Sequence, residues 1–463
     1  MKKFINRKAE LETLSSEYNR KEASFVVIYG RRRIGKTALI NEFCKGKRNV
    51  FFLVTEENEK ENRDAFKNVI ADVLDNKLLK EAAFERWEPV FDIIAEAADY
   101  ENERLILVID EFQYLGNANP AFPSILMSIW DRQLKDKNIM LVLCGSLVQM
   151  MTSQVLSYDS PLYGRRTAQM RIGQISYEHY KEFMLDITDE ERLQRYAITG
   201  GVPKYIELFQ GEGDIYDLLR SNIMSRNAFL YAEPEFLLQK EVTETGSYFS
   251  ILKTIAAGNH KLSKIATVMN VKQTSLSKYL KVLSELDIIE REVPVTEENP
   301  EKSKKGLYFI KDNFIKFWFQ FIYPNKGILE NDQDEFVLSK IRNHLIENHI
   351  SYVYENVCRQ EMWKLNGKRF TFNRVGRWWG TSDVEIDIVA YDSVGRDIAF
   401  GECKYSANPK GIEVLRNLQD KSYYVNWNKN SRDEYYVLFS RSGFTKELEK
   451  YASINPNVLL ITW

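Results

Sequence analysis

Cysteine is scarce in this chain: there are four, Cys44, Cys144, Cys358 and Cys403, and no two form a C-x-x-C pair. That pattern excludes a disulfide-stapled secreted domain and reads as reduced, mostly buried thiols of a cytoplasmic protein. Histidine is as rare, with four residues and no H-E-x-x-H pattern, so a structural zinc site is not expected. Long apolar runs are missing as well. Stretches 105–109 and 317–323 are sized for a core strand or core helix rather than for the ~20 residues of a membrane span. The opening Met1-Lys2-Lys3-Phe4-Ile5-Asn6-Arg7-Lys8 is basic with no apolar segment behind it, which does not read as a signal peptide. Nor is there a surplus of positive charge. A net charge of −2 confines any nucleic-acid surface to a local patch. Pro/Gly/Ser-rich linkers are absent too, so domain borders are readable only to about ten residues.

What is present is enough for about three soluble globular domains: 463 residues, 44% hydrophobic and 28% charged. The apolar run Phe25-Val26-Val27-Ile28-Tyr29 leads into Gly30-Arg31-Arg32-Arg33-Ile34-Gly35-Lys36-Thr37, and Ala38-Leu39-Ile40 opens a helical pattern. The octet fits G-x-x-x-x-G-K-[ST], a match that arises by accident in roughly 1–2 of 100 such chains at ordinary residue frequencies. Strand, glycine loop and helix together predict a phosphate site, because Gly30 and Gly35 let successive N–H groups turn inward. Lys36 then reaches the β- and γ-phosphates of ATP, and the Thr37 hydroxyl binds Mg2+. A second apolar run, 105–109, delivers Asp110 and Glu111 at its end. Asp110 suits the metal's water shell, and Glu111 suits the attacking water as base or positioner. A third run ends in Cys144-Gly145-Ser146. Ser146 fits a contact to the γ-phosphate or the water, and fits a plain strand-end turn equally well. Residues 122–134, with Leu126, Ile129 and Trp130 on one face, read as a core helix.

Phe4-Ile5-Asn6-Arg7, the arginine-rich loop, Ile109-Asp110-Glu111-Phe112-Gln113, Cys144-Gly145-Ser146, Pro161-Leu162-Tyr163-Gly164-Arg165-Arg166-Thr167 and Gly200-Gly201-Val202-Pro203 resemble archaeal and bacterial AAA-like P-loop ATPases related to STAND signalling ATPases. The resemblance implies that Arg165 and Arg166 sense the γ-phosphate, and that Pro203 begins a lid helix. Asn6 departs from the glycine more usual there. On charge alone the two arginines fit a solvated turn as well.

Further on, 250–256, 262–266 and 273–283 show helical spacing, followed by a strand at 288–293, a loop with Lys302, Lys304 and Lys305, and a strand at 307–310. This order resembles a winged helix-turn-helix, whose third helix offers Gln273, Thr274, Ser275, Ser277, Lys278 and Lys281 outward to DNA. Glu297, Glu298 and Glu301 dilute that wing, and a packing or relay role is equally open. In the last third, Glu385-Ile386-Asp387-Ile388-Val389-Ala390 and Phe400-Gly401-Glu402-Cys403-Lys404 alternate as two strands around Asp392-Ser393-Val394-Gly395. Alternation lets Asp387, Glu402 and Lys404 converge, two carboxylates for a divalent metal and an ammonium for a phosphodiester. The set resembles the PD-(D/E)xK nuclease core, which implies Glu355 as an additional metal ligand. Trp378 and Trp379 suit either base stacking or core packing.

The expected fold is α/β, a P-loop NTPase of the AAA-like kind with added modules. The segments are an ATPase core (1–165), a helical lid (166–245), a winged helix-turn-helix (246–322) and a nuclease-like α/β domain (323–463). The expected function is an ATP- and Mg2+-dependent ATPase acting on or near DNA, with a metal-dependent nuclease-like carboxy-terminal domain. The alternative is a nucleotide-switched regulatory or scaffold ATPase whose last domain binds without cutting. Ala38 completes the loop contacts. No membrane is expected as a partner, and a homo-oligomer or protein partner stays open.

Overall fold

The computed structural model describes residues 4–100, 103–380 and 384–462, so Met1-Lys2-Lys3 of the amino-terminal stretch lie outside it. The chain forms two compact units. One takes the chain to Phe183 together with Gly201–Glu207 and Phe236–Thr243; the other holds Met184–Gly200, Leu208–Glu235 and the chain from Glu244.

The first unit is built on a five-stranded parallel sheet of β1 (Ser24–Tyr29), β2 (Asn49–Leu53), β3 (Leu105–Asp110), β4 (Ile139–Gly145) and β5 (Ala168–Arg171), in the order β2-β3-β4-β1-β5. Every residue of β3 and β4 is buried, which is why these strands read as unbroken apolar runs. Strand alternation then divides them between two cores. Phe25, Val27, Leu107 and Leu141 enter one, and Val26, Ile28, Val108 and Val142 the other. Helix 122–129 buries Phe122, Leu126 and Ile129 in the first of these cores, as its spacing predicts. The sheet order sets β4 between β1 and β3. The loop after β1 therefore faces Asp110 across the end of β4, where Ser146 follows.

In the second unit, helices Thr245–Ala256, Leu262–Val268 and Gln273–Glu285 precede an antiparallel pair, β6 (Ile289–Glu292) and β7 (Leu307–Ile310). The connecting loop is not free. Val295 donates its N–H to the Arg377 carbonyl (3.0 Å), and its side chain packs on Gly376. Both partners lie on β8 (Arg374–Trp379), the edge of a second sheet with β9 (Glu385–Tyr391), β10 (Asp397–Lys404), β11 (Asp433–Ser440) and β12 (Val458–Thr462). Strands β9 and β10 pair antiparallel around the 392–396 turn, as the alternation predicts, and β10, β11 and β12 run parallel. Trp378 and Trp379 are buried, so packing is their role here.

Helix Asp189–Thr199 belongs to this second unit, and a fully buried histidine ties it in. His349 lies 2.6 Å through Nε2 from the Ala197 carbonyl and 3.3 Å through Nδ1 from Gln320 Oε1. The contact with the Ala197 carbonyl makes Nε2 the donor of the neutral ring. Burial pushes the His349 imidazole down to about 3, with the Lys316 ammonium acting in the same direction. The unfolded chain takes this proton near pH 6.5 and the folded chain does not, so stability is full above pH 6.5 and falls as the pH drops toward 3. Urea midpoints measured from pH 7 to 4 should fall by the equivalent of a few kcal/mol. His349→Gln should flatten that limb; an unchanged slope in the variant would refute the assignment.

Candidate functional site

The loop after β1 has the shape that a phosphate requires. Gly35 adopts φ 91° as it enters helix Lys36–Cys44, and Gly30 has φ 149°. A Cβ on Gly30 would sit 2.4 Å from the Ile172 carbonyl oxygen, so glycine is imposed by space as well as by backbone. Lys36 is buried and its Nζ donates to the carbonyls of Gly30 (2.8 Å) and Arg31 (2.9 Å). Burial lowers its ammonium, while nearby acidic groups including Glu111 and Asp110 hold it up. Ile34 is core and Ala38 lies in the first helical turn; Arg32 donates to the Tyr114 hydroxyl (2.5 Å) and Arg33 takes a left-handed φ of 68°.

Opposite the loop, Thr37 Oγ1 donates to Asp110 Oδ2 at 2.9 Å. These two oxygens, brought from residues 73 apart, are hard donors suited to Mg2+. Glu111, at φ 56°, is held by Ser146, whose Oγ donates to Glu111 Oε2 at 2.6 Å, and by the Gln113 amide. Ser146 is therefore more than a strand-end turn, because it fixes the direction of Glu111. Arg31, Lys36, Thr37, Asp110, Glu111 and Ser146 gather at one end of the sheet, and the donor set fits a magnesium nucleotide.

Arg165 and Arg166 have local partners instead. Arg165 pairs with Asp131 (3.0 Å) and donates to the Pro161 carbonyl; Arg166 lies over the Tyr163 ring and 3.5 Å from the Leu156 carbonyl. Pro203 does approach the loop, with its Cγ 3.7 Å from where a Gly35 Cβ would be. One supporting residue lies in the Phe4-Ile5-Asn6-Arg7 stretch, which carries the resemblance but gives no hint of its role. Buried Arg7 donates through Nη2 to the Ile34 carbonyl (3.2 Å) and the Gly173 carbonyl (2.6 Å), fastening the phosphate loop to the chain beyond β5. Asn6 and Arg7 both take left-handed backbone, at φ 66° and 69°.

The second constellation lies in the second unit, on β9 and β10. Lys404 Nζ is 2.7 Å from Glu402 Oε1, and Asp387 Oδ2 accepts the Cys403 N–H at 2.8 Å. Burial and then the Glu355 and Glu402 charges push the Asp387 carboxyl up to about 7, a sign that the three carboxylates crowd together. Their charges are met by cations. Lys421 reaches Glu402 Oε2 (3.1 Å), and Arg377 holds Glu355 (2.8 Å). Asp387 and Glu402 are hard oxygen donors, but Glu355 is committed to an ion pair. Among the described residues no group of three acidic, histidine or cysteine side chains stands ready for a metal. Lys421 and Arg377 were not foreseen, since neither falls within a motif. On helix Gln273–Glu285, the side chains of Gln273, Thr274, Ser275, Ser277, Lys278 and Lys281 are exposed, as are Lys302, Lys304 and Lys305, the last paired with Glu297.

Comparison with known proteins gives the following. Residues 4–209 match an ATPase domain predominantly from Archaea, and residues 318–416 match archaeal and bacterial proteins of unknown function. An uncharacterised protein of Methanocaldococcus jannaschii is 33% identical over 449 residues, spanning 96% of this chain and 97% of that protein. An uncharacterised ATP-binding protein of the same organism is 22% identical, over 71% of this chain and 96% of the other. Among solved structures, the Walker-type ATPase of Pyrococcus abyssi shares the fold, with a TM-score of 0.52 over 68% of this chain and 96% of its own, at 18% identity. No helix among the described residues is long and apolar enough to cross a membrane.

Arg7→Ala leaves the Ile34 and Gly173 carbonyls without their charged donor and the loop without its clasp. A loss of about 1–3 kcal/mol is expected, together with weaker nucleotide binding. Thermal melting with and without nucleotide checks both, and an unchanged melting temperature would refute the role.

Proposed function

This chain belongs to an archaeal-type ATPase family, in which an ATPase domain is followed by a domain of unknown function, and from that premise we propose that it binds ATP with Mg2+ at the 30–38 loop and hydrolyses it. The observation that carries this reading is the contact between Thr37 and Asp110 beside a buried Lys36. Lys36 exchanges the carbonyls of Gly30 and Arg31 for phosphate oxygens, a trade its position inside the loop makes short. The backbone N–H groups from Gly30 to Ala38 surround the phosphates. Thr37 and Asp110 would hold Mg2+, which would offset phosphate charge. Glu111, aimed by Ser146, accepts a proton from the water whose oxygen attacks the γ-phosphorus as the bond to the β–γ bridging oxygen breaks. Arg165 or Arg166 joins the site only by leaving its present partners.

Glu111→Gln should keep ATP affinity while lowering phosphate release by roughly 10²–10⁴-fold, and Lys36→Ala should lose binding. Turnover by Glu111→Gln at the parent rate would sink the assignment of the base.

The finer part of the reading concerns the second unit. The exposed polar face of helix Gln273–Glu285 and Lys302 and Lys304 support a winged helix that meets DNA phosphates, and the grouping of Asp387, Glu402 and Lys404 supports a nuclease-like domain. A second reading is favoured by the ion pairs of Lys421 and Arg377, which already satisfy the acidic cluster: a nucleotide-switched regulator whose last domain binds without cutting. One screen separates the two. Linear, supercoiled, single-stranded and branched DNA are incubated with Mg2+ or Mn2+, with and without ATP. The nuclease reading expects cleavage that Lys404→Ala abolishes with ATPase activity intact. No cleavage of any substrate, with DNA retained at low salt, supports the binding reading.

A further inference from the structure

The stretch Phe236–Thr243 lies far along the chain from the phosphate loop, yet it packs within the same compact unit. Two adjacent residues, at the end of helix Glu233–Glu241, carry it there. Lys240 Nζ is 2.9 Å from Glu56 Oε1, Glu56 hydrogen-bonds the Tyr114 hydroxyl, and that hydroxyl accepts from Arg32 Nη2 at 2.5 Å. A continuous polar chain thus runs from Lys240 to the phosphate loop. Glu241 points inward. Its carboxylate accepts the N–H groups of Val148 and Gln149, which follow the end of β4, while Oε2 is buried with no hydrogen-bond partner among the described residues. Burial pushes the Glu241 carboxyl up to about 7, opposed by those N–H groups and by the charges of Arg31 and Arg32, and its own charge acts on Lys36.

A buried carboxylate oxygen without a partner is unfavourable unless something nearby offsets the charge. Here the offset is the positive field of the phosphate loop, the same field that attracts nucleotide phosphates. The two negative groups compete for it. The contest is uneven between nucleotides, because a triphosphate brings about one more negative charge than a diphosphate and places it beyond the β-phosphate.

Resting on the ATP reading above, we propose that Glu241 is a specificity-determining residue of the nucleotide site. Its carboxylate stands in the field of Arg31, Arg32 and Lys36 and penalises a triphosphate more than a diphosphate, so that triphosphate binding expels the 236–243 segment. The Lys240–Glu56–Tyr114–Arg32 chain is the strap that holds the segment on the loop until then.

The test measures dissociation constants of a non-hydrolysable triphosphate and of ADP, each with Mg2+, by calorimetry on the full chain at pH 8, where a carboxyl raised to about 7 is mostly ionised. Glu241→Gln keeps the shape and removes the charge. It should tighten the triphosphate by roughly 5–30-fold, the scale of one removed unit charge in a partly buried site, and ADP by less than about twofold. A merely structural role would move both constants together. Should Glu241→Gln fail to fold, Lys240→Ala carries the same readout, since a loosened strap also favours the triphosphate and exposes 236–243 to limited proteolysis in the absence of nucleotide. An unchanged ratio of the two constants, or a weaker triphosphate, overturns the proposal. If the parent chain binds neither nucleotide, it is the ATP reading that fails instead.

Discussion

The contact between Thr37 and Asp110 is the interaction on which the nucleotide unit depends. It joins the ends of β1 and β3, which are not neighbours in the sheet, across the end of β4. A parallel sheet in this strand order brings a loop glycine, a helix amino terminus and two carboxylates to one edge, and its buried strands hold that edge still. Ser146, at the end of the intervening strand, then has one place to go. It meets Glu111 and fixes a carboxylate whose own backbone sits at a positive φ. The left-handed turn at Glu111 is local strain, held by the hydrogen bonds its carboxylate accepts from Ser146 and Gln113.

The second unit is organised by charge compensation. Glu355 and Glu402 are each close enough to oppose ionisation of the buried Asp387, and Arg377, Lys404 and Lys421 answer the three. Glu402 keeps one lysine if the other is removed, whereas removing Arg377 would leave Glu355 poorly paired, a strongly unfavourable change in a partly buried cluster. The same Arg377 supplies the carbonyl that receives Val295 from the loop between β6 and β7. That loop, read as a wing by its lysines, is thus anchored at its base to the sheet that carries the acidic cluster, while Lys302 and Lys304 stay exposed. One stretch of chain packs with its root and offers charge with its tip.

The parts that could be read in advance share one property: their chemistry and their backbone requirement sit within a few consecutive residues. The phosphate loop needs glycines and lysine at fixed spacing, a buried parallel strand needs an unbroken apolar run, and the β9–β10 hairpin needs alternation around a turn. Each is visible at a range of about ten residues. What escaped reading acts over distance. Arg7 meets Gly173 across 166 positions, and Lys421 meets Glu402 from the following helix with a charge that any surface helix would carry. Glu241 looks like a solvated helix residue, and its environment is set by burial, by the arginines at 31–32 and by the N–H groups at 148–149. The arginines at 165 and 166 show the converse. A sensor role is inherited by resemblance, whereas the partners they actually meet, Asp131 and Tyr163, are fixed by the local turn.

Chain connectivity gives the nucleotide site a further consequence. The polypeptide passes between the two compact units at 183–184, 200–201, 207–208, 235–236 and 243–244. The two segments returned to the nucleotide unit both bear on the phosphate loop: Gly201–Glu207, with Pro203 beside Gly35, and Phe236–Thr243, with Glu241 in the field of Arg31 and Arg32. Gly201 leaves no slack at its end, since a Cβ there would fall 1.9 Å from the Ile175 carbonyl oxygen. A nucleotide that shifts either segment therefore pulls on covalent bonds leading directly into the second unit. Coupling of this kind needs no shared pocket and no relay of side chains. It requires only that the two returned segments have one position when the loop is empty and another when it is filled, and a buried carboxylate opposed to a triphosphate supplies that difference.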